Sequence, residues 1–190
     1  MVNAKIFYRF FIFFFLVILL LFDGYYFYNK QRTQDLLSKT AVFLKDSQSK
    51  KNTNYETLRS VGNAFNKSDF KTANSILDAK LVSNPNDVQI LLAKARTLAQ
   101  EASLTFQEKE LGDEARKYVL QALELDPKNV EGLTLLGYTY EIQQDYLNAQ
   151  KNYDAALKID PKSEQTLTQK AHAYYLDGDV INSEKYYKLA

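Results

Sequence analysis

The sequence contains no cysteine and no tryptophan, and only one histidine, three prolines and six glycines among 190 residues. The absence of cysteine excludes disulfides, thiolate metal sites and thiol catalysis. So few prolines and glycines leave little of the turn chemistry that separates short strands, which favours an all-α fold. A formal net charge of +1 also removes the electrostatic argument for nucleic-acid binding, which requires a clustered basic surface.

The amino-terminal segment carries an uninterrupted run of thirteen apolar residues, Phe10 to Phe22. Thirteen residues are too few to cross a bilayer, but the flanking residues extend the apolar segment to residues 6–28, which is long enough. Arg9 and Asp23 would then lie near the two interfaces, and the aromatic residues that close the segment are typical of an interfacial belt. No small-residue cleavage pattern follows the run, so we predict an uncleaved transmembrane helix rather than a removed signal peptide.

Membrane orientation depends on basic residues that are almost balanced about this segment. Lys5 and Arg9 lie at the amino-terminal end of the predicted span, and Lys30 and Arg32 follow it. Because a short basic amino terminus usually stays in the cytoplasm, we predict a single-pass cytoplasmic (inner) membrane protein whose N-terminus is inside. The residues after the span would be periplasmic or otherwise extracytoplasmic, and the cytosol-facing orientation is the alternative.

Residues 29–53 connect the predicted span to the rest of the chain. Leu37, Ala41 and Leu44 keep helical spacing, which predicts a juxtamembrane helix from about Thr33 to Asp46. The polar segment SQSKKNTN that follows is typical of a flexible hinge. The helix either continues the span as a stalk or offers a docking surface.

The remaining chain repeats itself at an interval of 34 residues, since ALELDP at Ala122–Pro127 recurs as ALKIDP at Ala156–Pro161. In the copy that begins at Val130, two groups of residues keep helical spacing on one face: Leu133, Leu136, Gly137 and Tyr140, then Ala149, Tyr153 and Ala156. This spacing predicts two short antiparallel helices that end at Pro161, because proline cannot continue a helix.

The pattern resembles the tetratricopeptide repeat (TPR), in which a large residue, Leu-Gly, an aromatic residue, Ala, a second aromatic residue, Ala and Pro follow at fixed offsets. Leu133 stands where Trp is commonest in the family. Gly137 and Ala149 are expected where the two helices cross most closely, with Tyr140 and Tyr153 filling the space on either side. A Sel1-like helical repeat is the alternative architecture, but the 34-residue spacing and Pro161 argue against it.

Weaker copies keep the same register, and each helix pair can bury its apolar face only against the next one. The second copy has eight additional residues, which we expect to add about two turns to its helices. The resemblance implies a right-handed superhelix. We predict four repeats, at residues 54–87, 88–129, 130–163 and 164–190.

Three positions depart from the family pattern. Val61 stands where Gly is preferred and is followed by Gly62, while Lys170 stands where Leu is expected. The fourth copy stops at Ala190, before its Pro position. Since such arrays usually finish with a polar capping helix, we expect a partner or a second copy to cover this end, unless the sequence is a fragment.

The resemblance further implies a concave groove, lined by the first helix of each repeat, in which family members commonly hold an extended peptide or a partner helix. Co-chaperones of this family that hold a C-terminal carboxylate use several basic residues in the groove, whereas only Arg96 is basic here, so that clamp is absent. The aromatic residues among the predicted positions are candidate anchors, although each could instead pack against a neighbouring helix. The predicted partner-binding groove comprises Tyr55, Leu58, Phe65, Gln89, Leu92, Arg96, Glu131, Thr134, Tyr138, Glu141, Gln165, Thr168, His172 and Tyr175.

His172 is the single histidine and has no second metal ligand three or four residues later, so we interpret it as a structural or hydrogen-bonding residue. The sequence contains no calcium loop, phosphate-binding glycine loop or nucleophile–base pair, so we predict no enzyme, cofactor or metal. The charged segment QEKELGDEARK is most simply a solvated face, and alternatively a contact specific to this protein.

These features predict a non-enzymatic, membrane-anchored scaffold for protein–protein interaction. It would help to assemble or stabilise a multiprotein cell-envelope machine of the secretion, pilus or flagellar type. The alternative is a membrane receptor or co-chaperone-like adaptor that captures client peptides transiently in the groove. Neither hypothesis identifies the partner protein, because one fold serves many functions.

Overall fold

The computed structural model of the protein describes Ser38, residues 54–105 and residues 108–190. Residues 54–190 form one compact unit. Every regular element within the two described ranges is an α-helix. The helices are α1 (54–65), α2 (Phe70–Ser83), α3 (Val88–Thr105), α4 (Glu108–Leu125), α5 (Val130–Glu141), α6 (Tyr146–Ile159), α7 (Glu164–Leu176) and α8 (Val180–Leu189).

Consecutive helices pair into hairpins. α3 packs against α4, α5 against α6, and α7 against α8, while α1 and α2 share a core with Ile90 of α3. α3 also contacts α5, and α5 contacts α7, so the first helices of successive hairpins lie side by side. This arrangement confirms the predicted all-α array of helical hairpins.

Small residues lie where the two helices of a hairpin approach most closely. Ala149 is fully buried, as is the aromatic ring of Tyr153 beside it. A Cβ atom built on Gly137 would lie 2.5 Å from Cε1 of Tyr153, which is closer than real atoms allow. The expectation that Gly137 and Ala149 must be small at the crossing is confirmed.

The second helix of three hairpins begins at an aspartate. The carboxylates of Asp69, Asp145 and Asp179 each accept the backbone N–H three residues later, at 3.0, 3.2 and 3.0 Å. This is the N-cap bond that satisfies an otherwise unpaired donor at a helix start. The hydrogen bonds from these capped residues hold the pKa of all three carboxyls below their ordinary values.

The residue before each of these aspartates has left-handed backbone geometry. The φ angles of Ser68, Gln144 and Gly178 are +56°, +62° and +85°. Only glycine adopts this conformation without a steric cost, so two of these turns place a residue with a side chain in a strained position.

The eight additional residues of the second repeat lie in its helices. α3 and α4 have 18 residues each, whereas α5 has 12 and α6 has 14. Residues 106–107 lie outside the described residues.

The predicted span at residues 6–28 lies outside the described residues, and so does the predicted juxtamembrane helix apart from Ser38, which is helical and exposed. In the part of the chain that the structure does describe, no helix combines the length and apolar character needed to cross a membrane.

Two buried lysines join neighbouring repeats. Lys94 Nζ lies 2.8 Å from Asp78 of the preceding repeat, and its side chain is 5% exposed. Lys170 departs from the repeat pattern, in which leucine is expected at this position. Its side chain is 3% exposed, and it bonds Asp154 of the preceding repeat. Its Nζ also donates to the Tyr186 hydroxyl at 2.9 Å. Lys170 therefore belongs to the repeat interface, because a carboxylate and a phenol replace its lost water.

The last repeat leaves open a face that the preceding repeat buries. Tyr175 and Tyr187 are 61% and 47% exposed, whereas Glu141 and Tyr153, which stand 34 residues earlier, are 3% and 0% exposed. The difference arises because the fourth repeat covers the third, while no described residue covers the fourth.

Candidate partner-binding groove

A cavity of about 480 Å³ opens between the first helices of the first three repeats. Six of the fourteen predicted groove residues line it: Leu58, Phe65, Gln89, Leu92, Arg96 and Glu131. The remaining lining residues are Val61, Gly62, Val88, Ala93, Thr97 and Asn129. The cavity therefore has apolar walls, contributed by α1 and α3, and polar groups from α3 and from the start of α5.

Gly62 opens the wall of this cavity. It occupies the repeat position at which Arg96, Tyr138 and His172 stand in the later repeats. A Cβ atom built on Gly62 would meet no other atom within 4 Å. Gly62 is absent from the predicted groove residues because a glycine offers no side chain for binding. The repeat register nevertheless identifies its position, and the missing side chain creates the space.

Arg96 and Glu131 form an ion pair on the cavity wall. Arg96 Nη2 donates to Glu131 Oε1 at 2.5 Å, and the two side chains are 47% and 48% exposed. Arg96 was predicted as the basic residue of the groove, and the structure places its charge against an acidic neighbour. A half-exposed pair of this kind contributes little stability, so either charge remains accessible to a partner.

The four aromatic candidates divide into two kinds. Tyr55 and Tyr175 are more than 60% exposed. Phe65 packs edge-to-face against Phe70, with ring centroids 5.9 Å apart, and Tyr138 packs against the core that joins repeats 2 and 3. Burial raises the pKa of Tyr138, and a hydrogen bond with Ser103 opposes that shift. Tyr55 and Tyr175 are thus free to meet a partner, whereas Phe65 and Tyr138 also hold the array together.

Glu141 links three helices in the C-terminal half of the groove. Its side chain is 2% exposed. The Tyr153 hydroxyl of α6 donates to Glu141 Oε2 at 2.7 Å, and His172 Nδ1 of α7 lies 2.7 Å from Glu141 Oε1. His172 is therefore a hydrogen-bonding residue, as its sequence context indicates, and Glu141 joins repeats instead of facing a partner.

Burial dominates the electrostatics of this cluster. It raises the pKa of Glu141 above its ordinary value, while the hydrogen bonds from Tyr153 and His172 oppose the shift. Burial, reinforced by the neighbouring Glu141 carboxylate, also raises the pKa of Tyr153. The cluster keeps a carboxyl group in a dry site where proton loss is disfavoured.

The other predicted groove residues differ in accessibility. Gln89, Gln165 and Thr168 are exposed. Thr134 is 2% exposed, and its hydroxyl lies 2.7 Å from that of Thr166 in the next repeat. Thr134 therefore stabilises the contact between α5 and α7, and the accessible groove is smaller than the predicted set.

The side chains described so far offer no metal site. Within residues 54–105 and 108–190, no group of three or more histidine, aspartate or glutamate side chains is arranged to hold an ion. What the groove presents is an apolar cavity with a charged wall, followed by aromatic and hydrogen-bonding groups. Such a surface is suited to binding a polypeptide segment.

A family model described as tetratricopeptide repeat matches residues 118–151. The match begins within α4 and ends within α6, so it contains the whole of α5. No curated protein matches the sequence.

Several solved structures share the fold. A thermophilic TPR protein of Thermus thermophilus is similar with a TM-score of 0.62 and 18% identity, over 71% of each chain. A MamA double mutant (RS-1 ArsTM) gives a TM-score of 0.54 and 14% identity over 70% of each chain. A tetratricopeptide repeat protein from Parabacteroides merdae ATCC 43184 gives 0.53 and 17% identity, over 71% of this chain and 51% of its own.

At these identities the solved structures establish the fold alone. Together with the matched repeat, they support the tetratricopeptide repeat family for the described array. The described residues therefore have a TPR-type fold, and one stretch of them, residues 118–151, matches the family model itself.

Proposed function

We propose that the protein is a non-enzymatic scaffold that binds a segment of a partner protein along its concave groove, with the cavity between α1, α3 and α5 as the anchoring site. The cavity is the observation that carries this proposal. Its volume of about 480 Å³ lies within the range of roughly 300–1,000 Å³ that is typical of ligand pockets. Its apolar wall, which includes Leu58, Phe65 and Leu92, suits large apolar side chains of the partner.

The ion pair of Arg96 and Glu131 defines the rest of the partner's chemistry. Because both side chains are about half exposed, the partner can exchange one of these charges for its own at little cost in stability. We therefore expect a segment with apolar anchors flanked by polar or charged residues.

Residues 6–28 support the membrane part of the proposal. They form an apolar segment of sufficient length that closes with Tyr25, Tyr26, Phe27 and Tyr28. We propose that they anchor the protein in the cytoplasmic membrane, with the array on the extracytoplasmic side. There it would help to assemble a multiprotein machine of the cell envelope.

A photo-crosslinking amino acid at Gln89, on the cavity wall, tests the binding site in the full chain in its native membrane. We expect a discrete crosslinked partner from Gln89 and none from Lys71, which is exposed on α2. Gly62→Leu should remove the crosslink, because the new side chain enters the cavity. Ser75→Leu, the same side chain at an exposed position of α2, is the matched control and should retain it.

The persistence of the complex separates the two functional hypotheses. A scaffold should co-purify with its partner in a fixed stoichiometry, whereas a transient receptor should yield the crosslink but lose the partner on washing. The exchangeable Arg96–Glu131 pair is the observation that favours the receptor. A crosslink that survives Gly62→Leu would contradict both hypotheses as stated.

The absence of native cysteine permits a direct test of orientation. Ser47→Cys introduces one thiol between the predicted span and the array. Labelling by a membrane-impermeant maleimide in intact cells, with any outer membrane made permeable, is expected if the array is extracytoplasmic. Labelling only after lysis would contradict that orientation and favour the cytosol-facing receptor.

A further inference from the structure

Gly62 is the exception among the glycines of the described helices. A Cβ atom built on Gly112, Gly132 or Gly137 would lie 2.9, 2.9 or 2.5 Å from a side chain of another segment, because an element packs closely against each of them. The Cβ atom built on Gly62 would meet nothing within 4 Å. Glycine weakens a helix interior and is typical of positions where another backbone or ligand approaches closely. Gly62 therefore leaves room for a close approach that no described element makes.

The apolar residues on either side of Gly62 have the spacing of a helix contact face. Leu58, Val61 and Phe65 follow one another at intervals of three and four residues along α1, so they form one stripe about 10 Å long. Leu92 of α3 lines the opposite wall of the cavity. Two helices that meet along such stripes interdigitate their side chains, because each helix repeats its surface every three to four residues. The cavity thus has the shape of a place for a helix between α1 and α3.

The polar groups of the cavity are mostly engaged within the array. The Thr97 hydroxyl donates to the carbonyl oxygen of Ala93 at 2.9 Å. The Asn129 side chain accepts the backbone N–H of Gly132 and donates to Asp126, both at 2.9 Å. The backbones of α1, α3 and α5 are paired within their own helices, and residues 54–105 and 108–190 contain no strand edge. These groups therefore offer few hydrogen bonds to the backbone of a partner.

The backbone of the occupant distinguishes an extended segment from a helix. An extended segment carries an N–H and a C=O at every residue, and most of these groups would lose water in the cavity without gaining a partner. The amide of Gln89, which is exposed, is the remaining one on the cavity wall. A helix pairs its own backbone and presents only side chains to the groove. The cavity therefore favours a helix over an extended segment.

The two charges on the cavity wall differ in how much each depends on the other. Glu131 lies in the first turn of α5, where the positive end of the helix dipole favours a carboxylate without help from Arg96. Arg96 lies in the interior of α3, away from both ends of that helix. A partner acid that binds Arg96 thus leaves Glu131 favourably placed, whereas a partner base that binds Glu131 deprives Arg96 of its counter-ion. The wall is therefore complementary to a negative charge on the partner.

We propose that the occupant of the cavity is an amphipathic α-helix of the partner protein, with apolar side chains at helical spacing against α1 and α3 and an acidic residue at the edge nearest α5. The helix enters the cavity that the proposed function assigns to the partner, on which this inference rests. Its closest approach to the array is at Gly62. Its apolar face extends the core of the first repeat, since Val61 lies in that core and Leu58 packs against it.

Selection from a library of random peptides of about 15 residues, which is about four turns of helix, tests the conformation. The target is the purified full chain, and the Gly62→Leu variant, whose new side chain enters the cavity, serves for counter-selection. We expect the enriched peptides to carry large apolar residues three, four and seven positions apart, with aspartate or glutamate beside them. Ser75→Leu is the matched control and should retain the same peptides, because Ser75 is exposed on α2. Proline in the middle of the best peptide, on its polar side, should weaken binding at least about tenfold relative to alanine there.

The acidic residue is tested with the best peptide, synthesised once with its acid and once with lysine in that place. The native chain should bind the acidic form at least about fivefold more tightly. Arg96→Glu should invert the preference, so that the lysine form binds more tightly by a similar factor. Arg59→Glu is the matched control, because Arg59 is exposed on α1 and does not line the cavity, and it should leave the preference unchanged.

The possible results separate the helix from the function on which it rests. Enriched peptides without helical spacing, or a best peptide that tolerates proline, would overturn the helix, while a crosslink from Gln89 would still identify the cavity as a binding site. Equal binding of the two charged forms, or a preference that Arg96→Glu leaves unaltered, would overturn the acidic residue. No enrichment over Gly62→Leu would overturn the inference, and the additional loss of the Gln89 crosslink would overturn the proposed function. A crosslink from Gln89 to the same chain or to a second copy would identify the chain itself as the occupant and would also overturn the inference.

Discussion

The ammonium group of Lys170 bonds the carboxylate of Asp154, which lies sixteen residues earlier on the preceding repeat. Asp154→Leu would leave this ammonium group buried without its carboxylate, so we expect a loss of about 1–3 kcal/mol in the free energy of unfolding. Adding Lys170→Leu should recover most of that stability, because the double variant no longer buries an ammonium group. Urea denaturation of the three proteins measures the effect, and a double variant as unstable as the single one would contradict it.

Gly137 is expected to tolerate no side chain. Gly137→Ala places a methyl group 2.5 Å from the Tyr153 ring, which must move, so we expect a destabilisation of about 1–3 kcal/mol. Gly62→Ala is the matched control, since its methyl group meets open space and should stabilise α1 by up to about 1 kcal/mol. Urea midpoints provide the measurement, and losses of equal size in both variants would show that the Tyr153 contact is not the cause.

Substitutions at two of the left-handed turns should change the free energy of unfolding in opposite directions. Gln144→Gly should raise the free energy of unfolding by about 0.5–1 kcal/mol, because glycine relieves the cost of a side chain at φ +62°. Gly178→Ala introduces that steric cost at φ +85°. The substitution should therefore lower the free energy of unfolding by about 1 kcal/mol. Thermal unfolding of both variants tests the pair, and a stabilised Gly178→Ala variant would contradict the assignment of strain.

The pH dependence of stability should carry a contribution from Glu141. Burial raises its pKa in the folded protein above the ordinary value of 4.5, so the folded state retains a proton that the unfolded chain has already lost. The stabilisation that the folded state gains from this retained proton is fully present below pH 4.5 and is lost as the pH rises through the pKa of Glu141 in the folded protein. As the pH rises from 5 to 8, the free energy of unfolding of the Glu141→Gln variant should therefore fall less than that of the native protein.

Glu184 offers a control of the opposite sign. Its pKa is lowered by the hydrogen bond and charge of Lys188, so its contribution is present above pH 4.5 and is lost as the pH falls. Because Glu184 is exposed, Glu184→Gln should have little effect between pH 5 and pH 8. Urea midpoints across this range measure both variants, and parallel curves for Glu141→Gln and the native protein would contradict the role of Glu141.

The repeat register predicts the hairpins because their closest contacts are local. Gly137, Ala149 and Tyr153 belong to one hairpin, so their spacing along the chain determines which side chains meet. The same register locates the groove in general terms and identifies Leu58, Leu92 and Arg96 on its cavity wall.

Contacts between repeats are not determined by that local spacing. Residue type alone predicts that Lys170 and Glu141 are accessible, yet both are buried because another repeat supplies hydrogen-bond partners. The cavity is hidden for a related reason, since it depends on the missing side chain of Gly62 and on helices from three repeats.

The two buried lysines also protect the chain from assembling its repeats in the wrong order. If the fourth repeat took the place of the third, Lys170 would meet Leu120 instead of Asp154. Its charge would then be buried without a counter-ion, and that misplaced arrangement would be disfavoured. Neighbouring molecules that exchange repeats while they fold meet the same barrier wherever a repeat with a buried lysine would pack against Leu120.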